Sequence, residues 1–400
     1  MPFSLRRLRR VLGAFALSCV AALGASAAGK TKPAAVPPPA AKPAVTIERG
    51  EIDGAKFAIA RPARWNRQVL ILAHGFRPET APVTADLFPD RAAYRALLDD
   101  GWAIAKTSYR RNGVIVQDAI RDLDALRAEV VRRLGRPERV LIEGESMGGL
   151  IAVLIAERTP ETVPLYDGAV AIGAALGMRV PADDSAGLSM QPRIPVVFLS
   201  NRSESEAPRR YAEAKLPPSM PVVKPVVLRV SRDGHLNVNQ AERFVALRTL
   251  NRWLDAGAEA LPKPDPETGA IDVTRIPEPV PSRVFPDPEG QGFTAHVSEV
   301  TEVFGNLLLD AQAPDFAQAG IAPNGYFQIT VRDRTYRAFF GKDFTSVKRG
   351  EWVAFPSADG FFWLGRNGLS AAATVQAEIG DLVHVKKYGG VPAEAATPEP

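Results

Sequence analysis

Residues 139–157, RVLIEGESMGGLIAVLIAE, decide the fold of this 400-residue chain. An apolar run typical of a buried strand leads directly into Gly144-Glu145-Ser146-Met147-Gly148, and helical spacing follows. This is the pattern Gly-x-Ser-x-Gly, in which glycines leave room for a sharp strand-to-helix turn. Such a turn lifts the serine hydroxyl clear of the sheet and points the helix N-terminus at a developing oxyanion. We therefore predict that Ser146 is a nucleophile.

Short apolar runs alternate with amphipathic stretches on both sides of this turn. The rhythm is that of a βα repeat, so it predicts an α/β fold with a mostly parallel sheet flanked by helices. The predicted strands cover residues 68–73, 102–107, 139–143, 169–174, 194–199 and 222–230, and the predicted helices cover 118–133, 147–157 and 240–254.

An oxyanion hole requires a backbone N–H in addition to that of Met147. His74-Gly75-Phe76 follows the strand 68–73, which is where the second donor lies in this architecture. We assign the Phe76 N–H as that donor. His74 is then expected to be structural and not a general base.

The general base is expected after the last strand of the sheet. His235 lies in the loop Asp233-Gly234-His235, and the other late histidines fall in a different part of the chain. The acid that orients it should follow the strand 194–199. Glu204 has the better spacing, and Glu206 is the alternative. Glutamate can hold the imidazole tautomer in the same way as aspartate.

These motifs, in this order, resemble the α/β-hydrolase superfamily over roughly 200 residues. The stretches that carry the resemblance are HGF at 74–76, GESMGG at 144–149 and DGH at 233–235. Residues 62–66 and 166–168 are also similar to secreted esterases of the tannase and feruloyl-esterase branch. The resemblance implies a Ser-Glu-His triad in the chain order Ser146, Glu204, His235.

The start of the chain has the pattern of a secretory signal. Four arginines precede an apolar run at 11–23, and a small-residue cleavage site follows at 25–27. Cleavage of the signal would remove those four arginines and with them the formal net charge of +4. A mature chain of near-zero net charge argues against a nucleic-acid partner. Cys19 is the only cysteine and leaves with the signal, which excludes a disulfide framework.

Composition divides the chain into six predicted segments. They are a signal peptide (1–28), a Pro/Ala-rich linker (29–43), an α/β-hydrolase domain (44–260), a Pro-rich linker (261–289), a small β-barrel domain (290–388) and a disordered tail (389–400).

The C-terminal part resembles the β-barrel of the S-adenosylmethionine hydrolase and fluorinase family. VFGNL at 303–307, VKRGEWVA at 347–354, SADGFFWL at 357–364, NGLSAA at 367–372 and GDLV at 380–383 carry this resemblance. It implies that Asn306 and Ser357 would face an adenosine base. The family's catalytic domain is absent, and Trp363 stands near the position of its usual acid. We favour a barrel that serves packing, association between copies or substrate access.

We expect an exported, periplasmic or secreted serine esterase that acts on a small-molecule ester. The mature chain is expected to have no transmembrane segment, cofactor or metal, and copies of it could associate through the barrel. Two alternatives stay open: a serine peptidase of prolyl-oligopeptidase type, and a decayed binding protein whose barrel takes a nucleoside or a protein partner.

Overall fold

The structure, a computed structural model, describes residues 44–158, 165–182, 184, 187–214, 223–301 and 303–388. The predicted signal peptide, the whole of the linker that follows it and the tail from 389 onward lie outside the described residues. Among the helices of the described part, none combines the length and the hydropathy that a bilayer span requires.

A nine-stranded sheet forms the first part of the described chain, in the order β1-β2-β4-β3-β5-β6-β7-β8-β9. β2 is antiparallel to both of its neighbours, β1 and β4, and every other adjacent pair is parallel. The strands are β1 (Val45–Ile52), β2 (Ala55–Pro62), β3 (Gln68–Ala73), β4 (Ala103–Thr107), β5 (Arg139–Glu145), β6 (Gly168–Ile172), β7 (Val196–Asn201), β8 (Val226–Val230) and β9 (Ile271–Asp272).

Five helices accompany this sheet: α1 (Ala92–Asp99), α2 (Val116–Leu134), α3 (Met147–Glu157), α4 (Glu206–Ala212) and α5 (Gln240–Ala256). Buried apolar residues form a separate core cluster on each face of the sheet, with α2 and α3 on one face and α1 and α5 on the other. Parallel strands covered on both faces become almost continuously apolar, as β3 and β6 are. The predicted strands and helices therefore lie close to the observed ones.

A second sheet closes into a barrel. Its strands are β10 (Phe285–Pro286), β11 (Gly292–Val300), β12 (Leu307–Gln312), β13 (Tyr326–Val331), β14 (Arg334–Phe340), β15 (Trp352–Pro356), β16 (Phe361–Arg366) and β17 (Leu382–Lys387), with short helices α6 (Ala313–Gln318) and α7 (Ala371–Val375). β11 pairs with both β12 and β17, which closes a ring of seven strands and leaves β10 attached to β11. Phe316 of α6 packs against four aromatic side chains inside the barrel.

Two short strands lie within the range 261–289, which the proline content predicts to be a linker. β9 adds a ninth strand to the first sheet through its pairing with β8, and β10 pairs with β11. Proline and two-residue strands give no periodic signal, so neither pairing could be predicted from the sequence.

Candidate active site

Ser146 stands alone between the end of β5 and the start of α3. Its backbone has φ 56° and ψ −115°, a left-handed conformation that is strained for a residue with a side chain. Hydrogen bonds hold it in place: the Ser146 N–H donates to the carbonyl of Ile172 at 2.9 Å, and its own carbonyl accepts from Ala175 at 3.0 Å. The predicted strand–turn–helix is thus present at this serine.

The glycines on either side are required by packing. A Cβ on Gly144 would lie 1.9 Å from the carbonyl oxygen of Gly148, and a Cβ on Gly148 would lie 2.0 Å from that of Ala73. Neither contact can be relieved by a side-chain rotation, because the clashing atoms belong to the backbone. The turn therefore requires glycine at both positions.

The structure brings together Ser146, His235 and Glu204. His235 Nε2 lies 3.0 Å from Ser146 Oγ, and His235 Nδ1 is hydrogen-bonded to the Glu204 carboxylate. Glu206, the alternative acid, begins α4 and pairs with Arg210 on the surface. The geometry thus places Glu204, and not Glu206, at the imidazole.

Glu204 also affects the pKa and the tautomer of the His235 imidazole. Its hydrogen bond raises the pKa of His235, against the opposing effect of partial burial. An anionic carboxylate at Nδ1 stabilises the N–H tautomer on that side, which leaves Nε2 free to accept the Ser146 hydroxyl proton.

The loop that carries His235 is fixed to the loop that carries Glu204. The buried Asn201 side chain donates to the carbonyls of Arg232 and Asn237, at 3.2 and 2.8 Å, and accepts from the Asn237 N–H at 2.9 Å. Ser203 Oγ accepts from the Gly234 N–H at 3.0 Å. Sequence reasoning missed Asn201, although an asparagine at the end of a buried apolar strand was a usable signal.

Met147 follows Ser146 in the chain, and Phe76 follows Gly75 in the HGF segment. A Cβ on Gly75 would lie 3.2 Å from Ser146 Cβ, so the HGF segment passes directly against the turn. Among the described residues, neither the Phe76 nor the Met147 N–H donates a hydrogen bond to the protein. Two free backbone N–H groups near a nucleophilic serine can donate hydrogen bonds to a developing oxyanion.

His74 is buried away from the Ser146 hydroxyl. Its ring nitrogens contact the carbonyl oxygens of Gly75 and Ser108 at 2.7 and 3.0 Å, and the ring packs on Tyr109. Burial, together with the positive charges of Arg77 and Lys106, lowers the pKa of His74 to about 3. A neutral imidazole has one ring N–H and donates to only one of these two carbonyls, so we interpret His74 as a structural support of the HGF turn.

A cluster of buried charges lies behind the turn and was not foreseen from the sequence. Arg243 of α5 pairs with Glu143 and Glu145, the carboxylates at the end of β5, and donates to Tyr94 Oη at 3.1 Å. Burial would raise the pKa of Glu145, but Arg243 and Arg91 lower it to about 2. Glu145 is therefore ionised at neutral pH, one residue before the serine.

A cavity of about 560 Å³ opens beside Phe76. Its lining includes Pro78, Val114 and Pro181 as apolar residues and Glu79 and Arg111 as charged ones. Its size falls in the range of small-ligand pockets, about 300–1,000 Å³. Phe76, which carries one of the two assigned oxyanion donors, belongs to this lining, whereas Ser146 and His235 do not.

The two barrel residues suggested by resemblance lie in separate turns. Asn306 immediately precedes β12, and its Oδ1 would lie 2.8 Å from a Cβ placed on Gly365. Ser357 lies in the β15–β16 turn, where its Oγ is buried without a hydrogen-bond partner among the described residues. No group of acidic, histidine or cysteine side chains in the described part of the chain has the arrangement of a metal site.

Comparison with known proteins gives only distant likenesses. No family model and no curated protein matches the chain. Among solved structures, esterase B from Lactobacillus rhamnosis is 18% identical, with 54% of this chain and 86% of that one covered and a TM-score of 0.41. An esterase from Pyrococcus furiosus is 14% identical, with 53% and 91% covered and a TM-score of 0.36.

An uncharacterized conserved protein from Thermotoga maritima is 18% identical at a TM-score of 0.25, and the match spans 49% of that protein and 34% of this chain. These scores are too low to assign a relationship, so the fold is identified from its own topology. The mostly parallel sheet, the serine turn between β5 and α3 and the closed second sheet show an α/β-hydrolase fold followed by a small β-barrel.

Proposed function

We propose that the protein is an exported serine esterase that forms an acyl-enzyme on Ser146. The observation that carries the proposal is the continuous hydrogen-bonded row from Glu204 through both ring nitrogens of His235 to Ser146 Oγ, with Nε2 at 3.0 Å. A nucleophile within hydrogen-bonding distance of a base that a third group orients is the arrangement needed for covalent acyl transfer.

In acylation, His235 Nε2 takes the hydroxyl proton as Ser146 Oγ attacks the ester carbonyl carbon. The carbonyl oxygen becomes an oxyanion, which the N–H groups of Phe76 and Met147 stabilise. Collapse of this intermediate breaks the bond to the alcohol oxygen, and the imidazolium gives its proton to that leaving group. In deacylation, His235 takes a proton from a water molecule as that water attacks the acyl carbon. The bond to Ser146 Oγ then breaks, the imidazolium returns its proton to Oγ, and the carboxylic acid is released.

The cavity beside Phe76 is the proposed place for part of the ester substrate. Export rests on the signal-like pattern of residues 1–28 alone. We also propose that the first domain is related to tannases and feruloyl esterases. The barrel is proposed to be related to that of the S-adenosylmethionine hydrolase family. We do not assign an adenosyl ligand to Asn306 and Ser357.

Hydrolysis of short- and medium-chain p-nitrophenyl esters tests the proposal, with Ser146→Ala as the matched control. Wild-type protein should hydrolyse them, and the variant should lose at least about 10³-fold of kcat/KM. Equal rates in both proteins would refute it. Faster cleavage of a prolyl peptide amide than of any ester would indicate the peptidase instead.

A further inference from the structure

The barrel reaches the first domain at the start of helix α5. Asp359, in the turn between β15 and β16, accepts a hydrogen bond from the backbone N–H of Gln240 at 2.9 Å. Gln240 is the first residue of α5, whose N–H groups there have no partner within the helix. A carboxylate at a helix N-terminus is favourable both as a hydrogen-bond acceptor and toward the helix dipole.

A second acidic residue of the barrel reaches the start of helix α1. Glu299 of β11 forms an ion pair with Arg91, which precedes α1, and the Nη2–Oε1 distance is 2.6 Å. The Glu299 side chain is only 12% exposed and the Arg91 side chain 28%. Such a partly buried pair is much less screened by solvent than an exposed one.

Both contacts lead toward the same carboxylate, that of Glu145. Helix α5, whose first N–H is bound by Asp359, carries Arg243 one turn further on, and Arg243 pairs with Glu145. Arg91, bound by Glu299, lines the same small cavity as Glu143 and Glu145, and its positive charge lowers the pKa of Glu145. Glu145 is the neighbour of Ser146, whose strained backbone persists only if its surroundings hold it.

Hydrogen bonds also hold the segment that connects the two domains, both to the start of α5 and to the barrel. The backbone N–H of Arg275 donates to Glu242 in the first turn of α5 at 2.8 Å, and Asn239 donates to the Arg275 carbonyl at 2.8 Å. Further along, Ser282 donates to Asp315 of the barrel at 2.7 Å. The barrel is thus joined to α5 through the chain as well as through Asp359.

We propose that Glu299 and Asp359 of the barrel are positioning residues for the nucleophile, acting through Arg91 and through α5 with Arg243 to hold Glu145 and the Ser146 turn. This inference rests on the proposed function, in which Ser146 is acylated. It gives the barrel a part in the reaction without a ligand of its own: removing either acid should loosen the turn while the barrel stays folded.

The first experiment is a double-mutant cycle in the full-length chain. Arg91→Gln and Glu299→Gln should each lower kcat on p-nitrophenyl butyrate about 10-fold with KM changed less than about twofold, and the double variant should fall no further. Rates are normalised to active sites titrated with a fluorophosphonate, so loss of folded protein does not count. Glu289→Gln, which removes an exposed acid between β10 and β11 that pairs with Lys386, is the matched control and should match wild type.

Asp359→Ala should lower kcat in the same way. Asp359→Asn should recover most of the loss, because the amide oxygen can still accept the Gln240 N–H. Additive losses in the cycle, losses confined to KM, or an equal loss in Glu289→Gln would overturn the proposal.

Hydrogen–deuterium exchange separates this proposal from the proposed function, because it needs no turnover. Glu299→Gln and Asp359→Ala should speed exchange in the peptide that covers residues 144–150 and leave barrel peptides around β13 unchanged. Unchanged exchange at 144–150 would refute the positioning role even in an active esterase. A wild-type protein without esterase activity, but with this exchange pattern in the variants, would refute the esterase and leave the mechanical coupling standing.

Discussion

Replacing Arg243 with methionine is expected to cost a large part of the stability of the fold. The Arg243 side chain is 5% exposed and that of Glu143 1%, so the change leaves a buried carboxylate without its cation and Glu145 without its main partner. Breaking a buried ion pair from one side costs about 3–5 kcal/mol. We expect a loss of that size in the free energy of unfolding, measured by urea denaturation followed by circular dichroism.

Two companion variants sharpen the test. Arg210→Met removes a cation from an exposed pair with Glu206 and should change the unfolding free energy by less than about 0.5 kcal/mol. Adding Glu143→Gln and Glu145→Gln to Arg243→Met should restore at least about 2 kcal/mol, because no unpaired charge is then buried.

The pH dependence of the Arg243 effect has a definite sign. The folded-state pKa of Glu145 is depressed to about 2 from the ordinary 4.5, so its ion pair stabilises the wild type fully above pH 4.5 and less as pH falls toward 2. The difference between wild type and Arg243→Met should therefore shrink below pH 4.5. A loss below about 1 kcal/mol at pH 7, no larger than that of Arg210→Met, would refute the buried-pair reasoning.

Three further predictions concern the site itself. Glu204→Gln should lower kcat/KM about 10³- to 10⁴-fold on p-nitrophenyl esters, whereas Glu206→Gln should stay within about twofold; similar losses in both would contradict the assignment of the acid. The acid limb of the kcat/KM–pH profile should lie above 6.5, because Glu204 raises the pKa of His235, and it should move to lower pH in Glu204→Gln, where residual activity is measurable. Gly148→Ala, whose Cβ would lie 2.0 Å from a β3 carbonyl oxygen, should cost more than about 3 kcal/mol in thermal unfolding, and Gly177→Ala, which meets nothing within 4 Å, should cost less than about 0.5 kcal/mol.

The parts of the site that local chemistry specifies could be predicted from the sequence. The serine turn needs glycine, a strand before it and a helix after it, and all three signals lie within 19 residues of chain. His235 follows the last long strand and precedes a helix, so its place at the carboxyl edge of the sheet also follows from chain order.

Other parts depend on packing between distant segments. Glu204 and Glu206 differ only by two positions, and the 3₁₀ turn Arg202–Glu204 decides which carboxylate faces the imidazole. Arg243 lies about 100 residues from Glu143 and Glu145 along the chain, and no pattern in the sequence pairs them. The docking of Glu299 and Asp359 onto α1 and α5 is likewise a property of the folded chain alone.

The most direct test of the central claim is covalent labelling followed by peptide mass spectrometry. Wild-type protein treated with a fluorophosphonate should gain one adduct per chain, located on the peptide that contains Ser146, and Ser146→Ala should gain none. His235→Ala should react far more slowly, because the base that removes the hydroxyl proton is missing. A wild-type protein that takes up no label, or a label that persists at another residue in Ser146→Ala, would contradict the account.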